Sequence, residues 1–281
     1  MSRESVMSAN EKYSGTLNNL EIKELDLHLA RYDIDGPKTS HFSDIYPVKD
    51  IKRNDAEVLR LQTIFDQEPN SAKERDRYAR ALEMILVEFA SSWLPGFLSR
   101  ASKYDDFIHG IDLVLEMSCV SGRVRRLGID VTSSPQKVAL KLDDTIKRLR
   151  NGPPHQMKYF ASELDGTRGH VDLSRVVLGT DDLAIVSQLV RLYLQYKKTE
   201  TSAERIRIRK LIEQHAIGVQ VAKELEMQLR SFQVIAPHED IQEILSALIE
   251  FRKEKAVFAQ HGSADDDRSN GVLEAISVAL H

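Results

Sequence analysis

Two aspartates stand in strongly apolar surroundings. Asp112 lies in Gly110-Ile111-Asp112-Leu113-Val114-Leu115, and Asp130 in Leu127-Gly128-Ile129-Asp130-Val131-Thr132. Short runs rich in branched aliphatic residues predict β-strands, where aspartate is disfavoured and costly to bury without a partner. Ser121-Gly122 lies between the runs and predicts a hairpin, so the two carboxylates can face each other. Carboxylates at close range repel unless they share a proton or a cation. A hard divalent cation, Mg²⁺ or Mn²⁺, relieves that repulsion, and Mg²⁺ favours one or two carboxylates completed by water and phosphate oxygens. The structural alternative is that both aspartates accept hydrogen bonds at strand ends or pair with Arg125 and Arg126.

Asp130 and Thr132 are two apart and share a strand face. The strand leads into a helix that opens at Pro135 and carries Lys137 and Lys141, four apart on one helix face. Glu116, four along from Asp112, is the alternative strand acid.

The elements that must position these groups follow from hydrophobic period and punctuation. A short helix is expected over Asn18–Tyr32 and a second over Asn54–Asp66. Ser71 and Glu74 predict a capping box for a helix running to Trp93, whose Tyr78, Ala81, Leu82, Ile85, Leu86 and Phe89 recur at helical spacing. Strands are expected at Phe107-Ile108, Ile111–Met117, Arg126–Thr132, Met157–Ala161 and Arg175–Leu178, with helices from Pro135 to Arg150 and from about Thr180 to Lys197. After residue 200 the pattern is wholly helical, as Ser202–Phe232 and Glu239–Gln260 split at Pro237. The fold class is therefore α/β. Residues 1–70 read as a partly helical N-terminal extension with a disordered start (about residues 1–15). Residues 71–200 read as the α/β core, and 201–281 as a helical C-terminal extension with a flexible acidic tail at Asp265–Asp267.

Within those predicted elements, the order helix, three-strand meander, helix, strand resembles the restriction-endonuclease-like, or PD-(D/E)XK, nuclease superfamily over about residues 75–180. Asp112 matches the acid of its second strand. Asp130-Val131-Thr132 matches the acid-x-Lys of its third, with Thr132 in the lysine position. The resemblance implies a metal-dependent phosphodiesterase acting on DNA or RNA. Asp112 and Asp130 would hold Mg²⁺ or Mn²⁺, Lys137 would replace the missing amine, and Glu88 on the first helix would assist, with Glu83 as the other candidate. The metal would polarise the scissile phosphate and acidify a bound water. The alternatives are an inactive binding or scaffold protein of the same fold, and a helical interaction module.

Bulk properties bound these readings. The chain has 281 residues, a net charge of −4 and one cysteine. A global basic coat for nucleic acid is excluded, while local clusters at Arg123/Arg125/Arg126, Lys147/Arg148/Arg150 and Arg205/Arg207/Arg209/Lys210 remain available for phosphate contact. Cys119 reads as a buried hydrophobe and Trp93 as a core or hinge residue. His155, His170 and His215 read as structural or surface residues. No signal peptide and no membrane span are read, so a cytoplasmic location is expected. A homodimer or a protein partner is an option through apolar positions such as Leu211, Val221, Leu225 and Leu248 of the C-terminal helices, which otherwise pack on the core.

Overall fold

The computed structural model describes residues 15–152, 154–258 and 271–280. Asp265–Asp267 and most of the expected disordered start lie outside these residues. Helices α1 (Asn19–Ile34) and α2 (Val48–Phe65), with a 3-10 turn at Thr39–Phe42 between them, precede the long α3 (Asn70–Trp93). Next come β1 (Phe97–Arg100), α4 (Lys103–His109), β2 (Leu113–Ser118), β3 (Val124–Thr132), α5 (Pro135–Asn151), β4 (His155–Ala161) and β5 (Arg168–Gly179). The chain then continues through α6 (Leu183–Lys198), α7 (Ser202–Glu213), α8 (Ala216–Ile235), α9 (Glu239–Phe258) and α10 (Gly271–Leu280).

The strands form one mixed sheet in the order β1-β2-β3-β5-β4. β1, β2 and β3 are an antiparallel meander, β5 lies parallel to β3, and β4 pairs antiparallel with β5 at the edge. The strand beside β3 is thus β5 and not the one that directly follows α5. Alternation along β3 sends Leu127, Ile129 and Val131 into the main core. That core also takes in Leu25 and Leu29 of α1, Ile208 of α7, Val221 and Leu225 of α8, and Ile276 of α10, so helices from both ends of the chain share it with the sheet. The apolar residues of the C-terminal helices are largely spent on this packing, although Leu211 remains exposed. Among the described residues no helix is long and apolar enough to cross a membrane.

Several local expectations need correction. Phe107-Ile108 is helical, because Ser102 caps α4 by accepting from the Asp105 amide at 3.1 Å. The buried Asp105 carboxylate then accepts the amides of Lys158 and Tyr159 at 2.7 and 3.0 Å, pinning that turn to β4. The first strand of the meander is instead Phe97–Arg100, a four-residue segment just after Gly96. Ser71 caps nothing, since α3 starts at Asn70 with the Pro69 carbonyl accepting from Ala72 and Lys73. α2 begins six residues before Asn54, which is buried and hydrogen-bonded to Tyr159. The helix read as Ser202–Phe232 breaks at Gln214-His215, where His215 caps α8. Trp93 is core, and its indole donates to the Glu213 carbonyl at 3.0 Å across that break.

Candidate active site

The meander places Asp112 against Asp130. The paired register ends at Leu113 and Ile129, and the Asp112 amide donates to the Ile129 carbonyl at 2.9 Å, so Asp112 sits just past the end of the pairing, beside the part of β3 that carries Asp130. Asp112 Oδ2 accepts the Val131 amide at 2.5 Å, which orients its carboxyl along β3. Both aspartates line a cleft of about 550 Å³ with Glu83 of α3, Asp106 of α4, Lys137 and Lys141 of α5, and Arg175 of β5. Depressions of similar size near Asn151 and Gly152 lie at the far end of α5 and do not include the sheet aspartates.

Asp130 is buried and its carboxylate takes the Lys141 ammonium on Oδ1. Arg175 approaches Oδ2 at 3.9 Å, and its own position is fixed by hydrogen bonds to the Lys141 carbonyl at 3.0 Å and Asp144 at 3.2 Å. The amine that meets the sheet aspartate is therefore Lys141. Lys137 is exposed at the cleft, and Thr132 Oγ1 accepts the Ser134 amide at the entrance to α5.

The other acids crowd one another. Burial pushes Asp112 well above the usual carboxylate range, and Glu83, Asp106 and Asp130 add to the rise while Lys141 opposes it. Burial likewise raises Glu83 strongly, with Asp106 adding and Arg80 opposing. Asp106 opens to solvent at the cleft, yet the protein massed around its carboxyl raises it to about 6, against the lowering effect of a hydrogen bond with Asp112. Such a bond requires one of the two carboxyls to carry a proton.

Glu88 lies elsewhere. It is exposed on α3 and accepts from Lys197 at 2.7 Å, while Glu83, more than a helical turn earlier, is the α3 acid that reaches the cleft. Glu116 is buried and bound to Arg126, Ser162 and the Glu163 amide, so it braces the β4–β5 loop. Arg125 is taken by Asp240 and Glu243 of α9, so neither Arg125 nor Arg126 is the partner of Asp112 or Asp130. Sequence reading missed Asp106 and Arg175. Asp106 follows Asp105 in an apparent turn, and Arg175 opens an apolar strand, a position where a buried arginine needs an acid such as Asp130 or Asp144.

A Mg²⁺ ion fits this donor set in kind: hard carboxylate oxygens and room for water. Among the described residues, no three histidine, cysteine, aspartate or glutamate side chains converge on one point as a ready-made metal cage. Comparison with protein-family models, with curated proteins and with solved structures finds no match to this chain.

Proposed function

We propose that this chain is a Mg²⁺- or Mn²⁺-dependent nuclease of the restriction-endonuclease-like type, cleaving phosphodiester bonds of DNA or RNA. The observation that carries the reading is the meeting of Asp112, Asp130 and Lys141 in one cleft, backed by Glu83 and Asp106. The order of α3, the three-strand meander, α5 and the parallel β5 also supports it. Asp112 and Asp130 would hold the ion, with Glu83 and Asp106 accepting from its waters. A bound divalent cation supplies charge to the scissile phosphate and acidity to an attacking water. Lys141 stands beside Asp130 to orient that water and to steady charge growing on the phosphate. Carboxylates slightly outnumber cations along the cleft, so cation loading is what turns it towards a polyanion.

The test is cleavage of single- and double-stranded DNA and RNA with Mg²⁺ or Mn²⁺, by wild type and by Asp130→Ala. Cleavage by wild type, lost in the variant while its circular dichroism spectrum shows it still folded, is expected. Wild type inert on all four substrates would favour the reading as a non-catalytic nucleic-acid-binding protein of the same fold.

A further inference from the structure

Part of the cleft wall comes from outside the α/β core. Tyr32 and Asp33, near the end of α1, line it beside Arg100 at the end of β1 and Lys103 at the start of α4. The Arg100 guanidinium lies over the Tyr32 ring, 3.5 Å from carbon to ring centroid. Gly36 closes in as well, since a Cβ there would stand 2.7 Å from Arg100 Nη1. The guanidinium is therefore confined, and glycine at 36 is what leaves it room.

Asp33 Oδ1 accepts from Arg80 at 2.6 Å and lies 3.8 Å from Arg100, while Oδ2 lies 3.8 Å from Lys103. One carboxylate is shared by three cations. Two buried donors at the same place, the Tyr32 hydroxyl and Arg100 Nη1, have no hydrogen-bond partner. Burial holds the Tyr32 hydroxyl protonated, raising it well above its ordinary value. Buried donors without acceptors are uncommon because each forfeits its hydration. A ligand bringing several acceptor oxygens would satisfy both donors together, and a phosphodiester has that chemistry.

We propose that Tyr32, Arg100 and Lys103 form a clamp for a nucleic-acid backbone phosphate next to the one being cleaved. The proposal rests on the nuclease reading above, in which the scissile phosphate is taken at Asp112, Asp130 and Lys141, leaving the clamp for a neighbour along the strand. It also gives the N-terminal helix a part in substrate binding.

The experiment measures kcat and KM of the full chain on a single-stranded DNA oligonucleotide and its RNA counterpart, with Mg²⁺, across a salt series. Tyr32→Phe keeps the ring under Arg100 and removes only the hydroxyl, so its KM should rise about tenfold with a smaller change in kcat. Lys103→Ala should flatten the dependence of log kcat/KM on log salt by about one unit, as expected for one lost phosphate contact. A residue that merely ties α1 to the core would not alter that slope. Wild-type KM in Tyr32→Phe together with an unchanged slope in Lys103→Ala overturns the clamp and leaves the nuclease reading standing. Wild type that cleaves neither oligonucleotide overturns both.

Discussion

The Lys141 ammonium donates to Oδ1 of Asp130, joining α5 about two turns from its start to the end of β3. Lys137, one turn earlier on the same helix, is exposed. A strand lysine two residues past the acid would share its face, and Thr132 occupies that position here. Lys141 supplies an amine at the same carboxylate from the neighbouring helix. Under the proposed mechanism, Lys141→Ala should lower single-turnover cleavage by about two to three orders of magnitude, the usual loss of a preorganised charge stabiliser. Lys137→Ala should cost less than about tenfold, as befits an exposed side chain. Comparable losses in the two variants would remove Lys141 from its special place.

The acid cluster predicts how stability responds to pH. Asp112, Glu83 and Asp106 all hold their protons more tightly in the folded chain, with Asp106 raised to about 6 and the other two raised well above the usual carboxylate range. Groups raised in this way favour the fold most fully below their unfolded values near 4, and that contribution fades as pH climbs through the folded values. Metal-free protein should therefore melt lower at pH 8 than at pH 5 to the extent that these three groups decide it, and Asp106→Asn should shrink the difference. Mg²⁺ should restore more of the melting temperature at pH 8, where the carboxylates are free to bind it, than at pH 5. Melting in EDTA and in Mg²⁺ at both pH values checks this, and an equal Mg²⁺ effect at the two would count against the ion sitting among these acids.

Glu83 and Glu88 separate a cleft acid from a surface one. Five residues of helix turn them by well over one full turn, so they leave α3 on different sides. Glu83 faces Asp106 and Asp112, and Glu88 pairs with Lys197 of α6. Glu83→Gln is expected to raise the Mg²⁺ concentration needed for half-maximal cleavage several-fold. Glu88→Gln should leave that concentration within about twofold and change stability by less than about 1 kcal/mol, since its ion pair is partly exposed. A metal titration of both variants decides it.

Most of the order of elements was legible because α3, β2, β3 and α5 each carry a strong period and clear punctuation. Asp112 and Asp130 stood out for the same reason, as charges within the apolar runs of one hairpin. What escaped the sequence depended on contacts between distant segments. α4 looked like a strand because its Phe107-Ile108 is apolar, whereas the Asp105 carboxylate that anchors the turn finds its partners at Lys158 and Tyr159. Which of Lys137 and Lys141 reaches Asp130, and which of Glu83 and Glu88 reaches the cleft, depends on helix rotation about an axis set by tertiary packing. Arg175 becomes a site residue only once β5 returns beside β3, a pairing that local pattern does not encode.

That return leaves β5 with an edge to protect, and a side chain completes it. β4 pairs with β5 only as far as Leu173. Beyond it, Gln228 of α8 accepts the Val177 amide at 2.8 Å and donates to the Val177 carbonyl at 2.6 Å, as a neighbouring strand would. Glu224 accepts the Gly179 amide at 3.0 Å, and Gln220 donates to the Gly179 carbonyl at 2.7 Å, extending the same imitation. Gln228 is fully buried, so Gln228→Ala strands both polar groups of Val177 away from water. Each stranded group costs about 1–3 kcal/mol, giving an expected loss of about 3 kcal/mol and several degrees in melting temperature. Gln228→Glu keeps an acceptor for the Val177 amide but faces its carbonyl with a carboxylate, so it should rescue little. Arg230→Ala, on the exposed side of the same helix, should cost less than about 1 kcal/mol, because its Glu226 partner also holds Arg252. Urea unfolding of the three variants measures the differences directly. Gln228→Ala matching Arg230→Ala would mean that water reaches this edge of β5, and that α8 does not hold the strand carrying Arg175 in register with Asp130.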